Sequence, residues 1–200
     1  MSKSSYHHGN LREALVRQGL LMLTEQGQDK LSLRELAKRC GVSPAAPYAH
    51  FKNKDDLLGA LRDAVMAELA DELRLAAKVH AHEKTVLTDV GMSYVLFFLN
   101  NANYFSLLFS EGQHVEAVLW NEEPERNPAF TALREAAEPI LSEFGIPGEG
   151  SHNILVAMWA LAHGLAAIVC TRGVAERLLS EPDPAGRLRA VMSAFAAPPM

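Results

Sequence analysis

The sequence predicts an all-α protein in two parts, on three observations. Apolar residues recur at helical spacing along most of the chain, nothing reads as a strand, and the breaks between periodic stretches fall at Gly, Pro and Asn. The 200 residues are 48% hydrophobic, enough for a sizeable core and of a length that suits a small domain joined to a larger one.

The first helix is expected over about Asn10 to Glu25, with Leu11, Leu15, Met22 and Leu23 inward and Gly27 just past its end. Ser32 and Glu35 then form a capping box, with Leu31 and Leu36 placed as its hydrophobic staple. Leu33, Leu36, Ala37 and Cys40 give the spacing of a second helix, which Gly41 ends. A very short third helix follows, N-capped by Ser43 with Pro44 at its first position and Pro47 three residues later. Pro47 there loses one backbone bond and tightens the first turn. Asn53 caps the next helix, Asp55 and Asp56 complement its dipole, and Leu57, Leu61, Val65, Leu69 and Leu73 carry its apolar face.

Further helices are expected at about 83–100, 102–110, 128–144, 151–172 and 184–196, with Pro139 kinking the third of these. Glu111–Asn127 reads as a loop, and Gly145–Ser151 and Ser180–Gly186 read as firm breaks.

Charge and composition narrow the function. Residues through Asp56 carry a net +3 and the remainder −8, a mildly basic front on an acidic body. The start, MSKSSYHHGN, has no signal-peptide pattern, and Cys40 and Cys170 are too isolated for a disulfide framework or zinc site. A soluble cytoplasmic protein is expected. Ile154–Cys170 is apolar but for His163 and Gly164. As a helix it would be about 25 Å long, short of a bilayer's roughly 30 Å, so it is expected to be buried on all sides, in a core or a subunit interface, rather than to span a membrane. His80 and His82 are two apart and point different ways on a helix, so no metal is expected there. No phosphate-binding Gly loop or nucleophile elbow is present. No enzyme and no cofactor are expected.

Two helices joined by a Gly-containing turn, with small Ala37 on the first, describe a helix-turn-helix. The proline-stiffened stub after the turn is slender enough to enter a major groove. Tyr48, His50, Lys52 and Lys54 follow it, all able to meet phosphate. Ala45 and Ala46 suit thymine methyl groups, and Arg34 or Lys38 suits phosphate or a flanking base. Lys3 and Tyr6-His7-His8 form an arm suited to a minor groove. Phe51 and Cys40 are expected in the core, and Tyr48 with its ring packed and its hydroxyl outward.

Leu31 to Leu61, LSLRELAKRCGVSPAAPYAHFKNKDDLLGAL, closely resembles the DNA-binding domain of TetR-type bacterial transcriptional regulators. Val42-Ser43, Tyr48-x-His50-Phe51, Lys54 and Leu57-Leu58 stand at that family's spacing, and the likeness covers about residues 6–61. Pro44-Ala45-Ala46-Pro47 departs from it, where many members carry bulkier or polar residues. The resemblance implies a DNA-binding domain over 1–61 and a ligand-binding and dimerisation domain over 62–200. The DNA contacts it implies are Ser32, Arg34, Ser43, Pro44, Ala45, Ala46, Tyr48, His50, Lys52 and Lys54.

In the second part, Trp159-x-x-x-His163-Gly164, YHHGNLREAL and NYFSLLF resemble a TetR-type subgroup with a so-called WHG C-terminal domain. Tyr94, Phe97, Phe98, Phe105, Phe109, Met158, Trp159 and His163 are the candidate ligand-binding set, and with Tyr104 they either line an apolar pocket or fill the core. His163 stands one turn after Trp159 on the same face, as a satisfied core histidine or as the polar handle for an apolar ligand. The last two helices, with Ala160 and Gly164 four apart, are the expected homodimer surface. The expected function is a repressor that leaves a palindromic double-stranded operator when a small apolar effector binds. The alternative is a helix-turn-helix module that senses no ligand.

Overall fold

The computed structural model describes residues 11–81, 85–109, 127–146, 148–171 and 173–194. The arm at Lys3 to His8, His82 and most of the Glu111–Asn127 link lie outside the described residues. Every regular element among the described residues is a helix. The chain separates into two compact units, Met1–Val65 and Met66–Met200.

In the first unit α1 runs Leu11–Gln26 and buries Ala14, Leu15, Gly19, Met22 and Leu23. Leu11, expected inward, is only half-buried at the helix's first residue. Gly19 allows a close approach: a Cβ there would stand 2.9 Å from a Leu61 methyl. A single 3-10 turn, Gln28–Lys30, follows Gly27 and had no signal in the sequence. α2 spans Leu33–Arg39, and its cap is as the sequence predicts, with the Glu35 amide donating to Ser32 Oγ at 3.2 Å. Gly41 closes it at φ +67°, with Val42 N–H bonded to Ala37 O and Gly41 N–H to Lys38 O. That is the two-bond helix ending which favours glycine.

The third helix differs from expectation. It is a four-residue 3-10 helix, Ala46–Ala49, capped by Ala45 with no side-chain bond, and the Ser43 side chain does not cap it. Proline chemistry explains the change. An α-helix starting after Ser43 would need the Pro47 N–H, which does not exist, so Ser43 O accepts from Ala46 N–H at 3.0 Å instead. Tyr48 N–H to Ala45 O and His50 N–H to Pro47 O continue the tighter winding. Pro44 lies in the preceding turn and Pro47 is buried.

α3 spans Lys54–Val79 and contributes residues to both units. Asn53 Oδ1 accepts the Asp56 amide and Asp56 Oδ2 accepts the Lys52 amide, each at 2.8 Å, so its start is firmly capped. Leu57, Leu61, Val65, Leu69 and Leu73 are all buried, as the periodicity predicts.

The second unit holds α4 (Val86–Asn100), α5 (Ala102–Phe109), α6 (Pro128–Glu143), α7 (Glu149–Val169), α8 (Val174–Leu179) and α9 (Pro184–Ala194). α4 is its centre, lying against α5, α6, α7 and α9, and it buries ten of its residues. Asn127 caps α6, its Oδ1 accepting the Phe130 amide at 2.9 Å. α6 continues through Pro139 to Glu143. α8, six residues long, is too short to leave a periodic signal and was not expected.

Within one chain α7 is covered on one side. Its buried residues are Leu155, Ala162, Ala166 and Val169, on one face only. Ala157, Ala160, Gly164 and Ile168 are exposed, because α4, α6 and α8 pack against one side and leave the other open. Among the described residues α7 is the one helix long and apolar enough to cross a membrane. The open stripe is an alternative reason for that composition.

Candidate functional site

The first unit offers a solvent-facing surface around the Ala46–Ala49 stub. Ser43, Pro44, Ala45, Tyr48, His50 and Lys52 are exposed there, and Ala46 is half-exposed. Gly41 and the 3-10 turns fix this backbone, and Phe51, 1% exposed, anchors it to the core. The Arg12 guanidinium lies 5.3 Å from the Phe51 ring centroid, a cation–π contact that pins α1 behind the stub. On α2, Ser32, Arg34 and Lys38 are exposed, while Arg39 pairs with Glu25 at 2.8 Å and so serves the α1–α2 packing.

Two sequence expectations change. Tyr48 is 58% exposed rather than packed, while Pro47 and Phe51 beside it are buried. Lys54 is half-buried, its ammonium donating to Gln28 O at 3.0 Å. That bond ties the start of α3 to the 3-10 turn after α1. Two ammonium protons remain, yet Lys54 is first a structural tether, whereas Lys52 projects freely into solvent.

The second unit contains a half-open cavity of about 630 Å³, within the range of small-molecule sites. Its wall comes from Leu73 of α3, Leu87, Thr88, Val90, Gly91 and Tyr94 of α4, Ala129 and Leu133 of α6, Ala157, Met158, Trp159, Leu161 and Ala162 of α7, and Met192 of α9. Of the eight sequence candidates it takes Tyr94, Met158 and Trp159. Phe97, Phe98, Phe105, Phe109 and His163 do not line it. They belong to an aromatic cluster behind the wall, in which Phe98 meets Phe105 at 5.2 Å and Phe109 at 5.8 Å, both edge to face. Sequence reasoning missed the aliphatic and small lining residues, whose spacing is no different from that of core residues. At Gly91 a Cβ would meet the Met192 methyl at 2.4 Å, so that flexible side-chain end would have to shift.

His163 joins the two features. Its ring stacks on Trp159 at 4.5 Å and 23°, meets Phe109 edge-on at 4.5 Å, and its Nδ1 is 2.9 Å from the Tyr94 hydroxyl. Burial pushes the Tyr94 phenol far above its usual range, against the Trp159 side chain, which hydrogen-bonds it and pulls the other way. Burial likewise lowers the His163 pKa, favouring the neutral ring. We assign the Tyr94 proton to Nδ1 and the imidazole proton to Nε2, since a buried hydroxyl needs an acceptor and Nδ1 is in reach. Trp159-x-x-x-His163 is thus a packing and hydrogen-bonding unit. It holds Tyr94 in the cavity wall.

Behind α4 a second polar group ties α9 down. Asp89, 5% exposed, accepts from Arg189 and lies 3.7 Å from His80 Nδ1. Burial raises its pKa, but Arg189 and Thr85 hydrogen bonds and the Arg189 and His80 charges outweigh that and hold it below the ordinary carboxylate value. Among the described residues no group of three His, Cys, Asp or Glu is placed to hold a metal.

Residues 15–61 match the family of bacterial regulatory proteins described as the tetR family. An uncharacterized HTH-type transcriptional regulator of Mycobacterium tuberculosis is 26% identical over 80% of this chain and 70% of its own length. The class A tetracycline repressor protein from transposon 1721, of Escherichia coli, is 33% identical over 72% of this chain and 60% of its own length. A solved structure of a protein of unknown function from Rhodococcus sp. RHA1 superposes with a TM-score of 0.72 at 26% identity, covering 97% of this chain and 95% of the other.

Proposed function

We propose that this chain is a TetR-type transcriptional regulator, acting as a cytoplasmic homodimer that sets two stubs in successive major grooves of a palindromic operator. A small, largely apolar molecule entering the cavity of the second unit then weakens that grip, so the protein is a repressor released by its effector rather than an enzyme. The observation that carries this is the pairing of an exposed, nearly bare Ala45–Ala46 stub in one unit with an apolar cavity in the other.

The roles follow from the surfaces. Ala45 and Ala46 offer only methyl groups, so base reading rests on thymine methyls and groove shape. Arg34, Lys38, Tyr48, His50 and Lys52 supply phosphate contacts, with Ser32 and Ser43 as neutral donors. The open stripe of α7, together with exposed Val191 on α9, is the surface a second copy covers, since small Ala160 and Gly164 let helices approach closely. α3 carries residues of both units, so a ligand touching Leu73 acts on the same helix whose first turn follows the stub.

Retention of genomic fragments by the purified chain, measured against salt, tests this. Binding should weaken linearly in log–log form, and Lys52→Ala should flatten the slope by about one contact. No retention of any fragment at low ionic strength sinks the reading. Retention that no cavity-sized molecule alters leaves a helix-turn-helix module without sensing.

A further inference from the structure

Which molecules the cavity admits can be read from what its wall lacks. Among the described residues no Asp, Glu, Lys, Arg or His lines it. Its polar groups are the Thr88 hydroxyl, the Tyr94 hydroxyl and the Trp159 indole, and two of these are committed. The Trp159 side chain hydrogen-bonds Tyr94, and the Tyr94 proton goes to His163. Tyr94 therefore offers a ligand at most one acceptor lone pair, and Thr88 offers one donor and its lone pairs. His163, the nearest titratable ring, stands behind this pair in an aromatic cage of Trp159, Phe105 and Phe109, where burial disfavours its charge.

We propose that the effector is an uncharged organic molecule whose polar part is a single hydroxyl-like or amide-like group, seated between Thr88 and Tyr94, and that anions and cations of the same shape are rejected. The inference rests on the ligand-sensing reading above and adds a chemical class to it. A carboxylate, sulfonate or ammonium carried into this wall would leave bulk water and find no counter-charge. An ionised group in such a site is unfavourable unless paired. An uncharged ligand loses little, because its hydroxyl exchanges water for Thr88 and the Tyr94 lone pair.

A matched pair of fluorescent probes tests this on the full-length protein. N-phenyl-1-naphthylamine is neutral, and 8-anilino-1-naphthalenesulfonate is the same ring system with a sulfonate added. The neutral probe should bind saturably and at least tenfold more tightly than the sulfonate. Leu87→Trp, at a half-buried position of the cavity wall away from the α7 stripe, should weaken the neutral probe at least tenfold while the circular dichroism melt is retained. Thr88→Arg should reverse the preference by giving the sulfonate a partner. Equal binding of both probes to the wild type overturns the charge inference and leaves ligand sensing standing. Neutral-probe binding indifferent to Leu87→Trp overturns the placement in this cavity. Absence of saturable binding by either probe overturns ligand sensing itself, and this inference with it.

Discussion

In the first unit Leu15, Met22, Leu23, Leu31, Leu36, Phe51, Leu57 and Leu61 are each at most 1% exposed. In the second, side chains of the same kinds stand around a void of about 630 Å³. On the proposed reading the first unit presents its function outward; its interior is filled and its helices are capped by Ser32, Gly41 and Asn53. The second presents its function inward and keeps space between α4, α6, α7 and α9. Rigidity in one and unfilled volume in the other follow from where each meets its partner.

Methionine gives the sharpest test of that contrast. Met22→Ala removes a fully buried side chain from a packed core and should cost about 2–5 kcal/mol. Met158→Ala enlarges a void that already exists at a half-exposed position, and should cost about 1 kcal/mol or less. Denaturant melts of the two variants compare them directly. Equal costs would mean that the second unit is packed as tightly as the first.

The next effect concerns how the second unit stays closed around empty space. Arg189→Ala leaves the Asp89 carboxylate buried with only Thr85 and the more distant His80, and Asp89 Oδ2 already has no hydrogen-bond partner among the described residues. A loss of about 1–3 kcal/mol near pH 7 is expected. The folded pKa of Asp89 is depressed, so the stability it contributes is present above the unfolded value of about 3.9 and is lost as pH falls through the lower folded value. Stability curves of wild type and Arg189→Ala should therefore converge as the pH drops below about 4. A gap that persists in acid would assign Arg189 a packing role instead.

The same contrast explains what could be read in advance. Caps, glycine breaks and period-3.6 stripes are local, so α1 to α3 and most of the later helices were legible, down to the Ser32 bond and the turn at Gly41. The stub was misread because its two prolines were placed in an α-helical frame, when the missing Pro47 N–H favours 3-10 bonds. The Lys54 bond to Gln28 O is not legible in the sequence, because the two residues lie 26 apart and no local pattern marks the pair. The cavity was legible only as a set of aromatic residues. Whether Phe98 or Leu133 faces a void is decided by how helices distant in sequence pack, and there the small residues Gly91, Ala129 and Ala162 matter as much as the rings.

Ser32 provides the smallest and most discriminating effect. Its Oγ accepts the Glu35 amide and caps α2, while its own proton stays available to an outside acceptor. Ser32→Ala should destabilise the first unit by about 1 kcal/mol. Well below the melting temperature, where the variant is still folded, duplex affinity should fall by less than tenfold, since one neutral hydrogen bond to phosphate is all that is removed. A larger fall at unchanged salt slope would mean that the cap also sets the angle at which α2 presents the turn and stub. The first unit's rigidity would then be the quantity that DNA recognition depends on, and not merely a consequence of its small size.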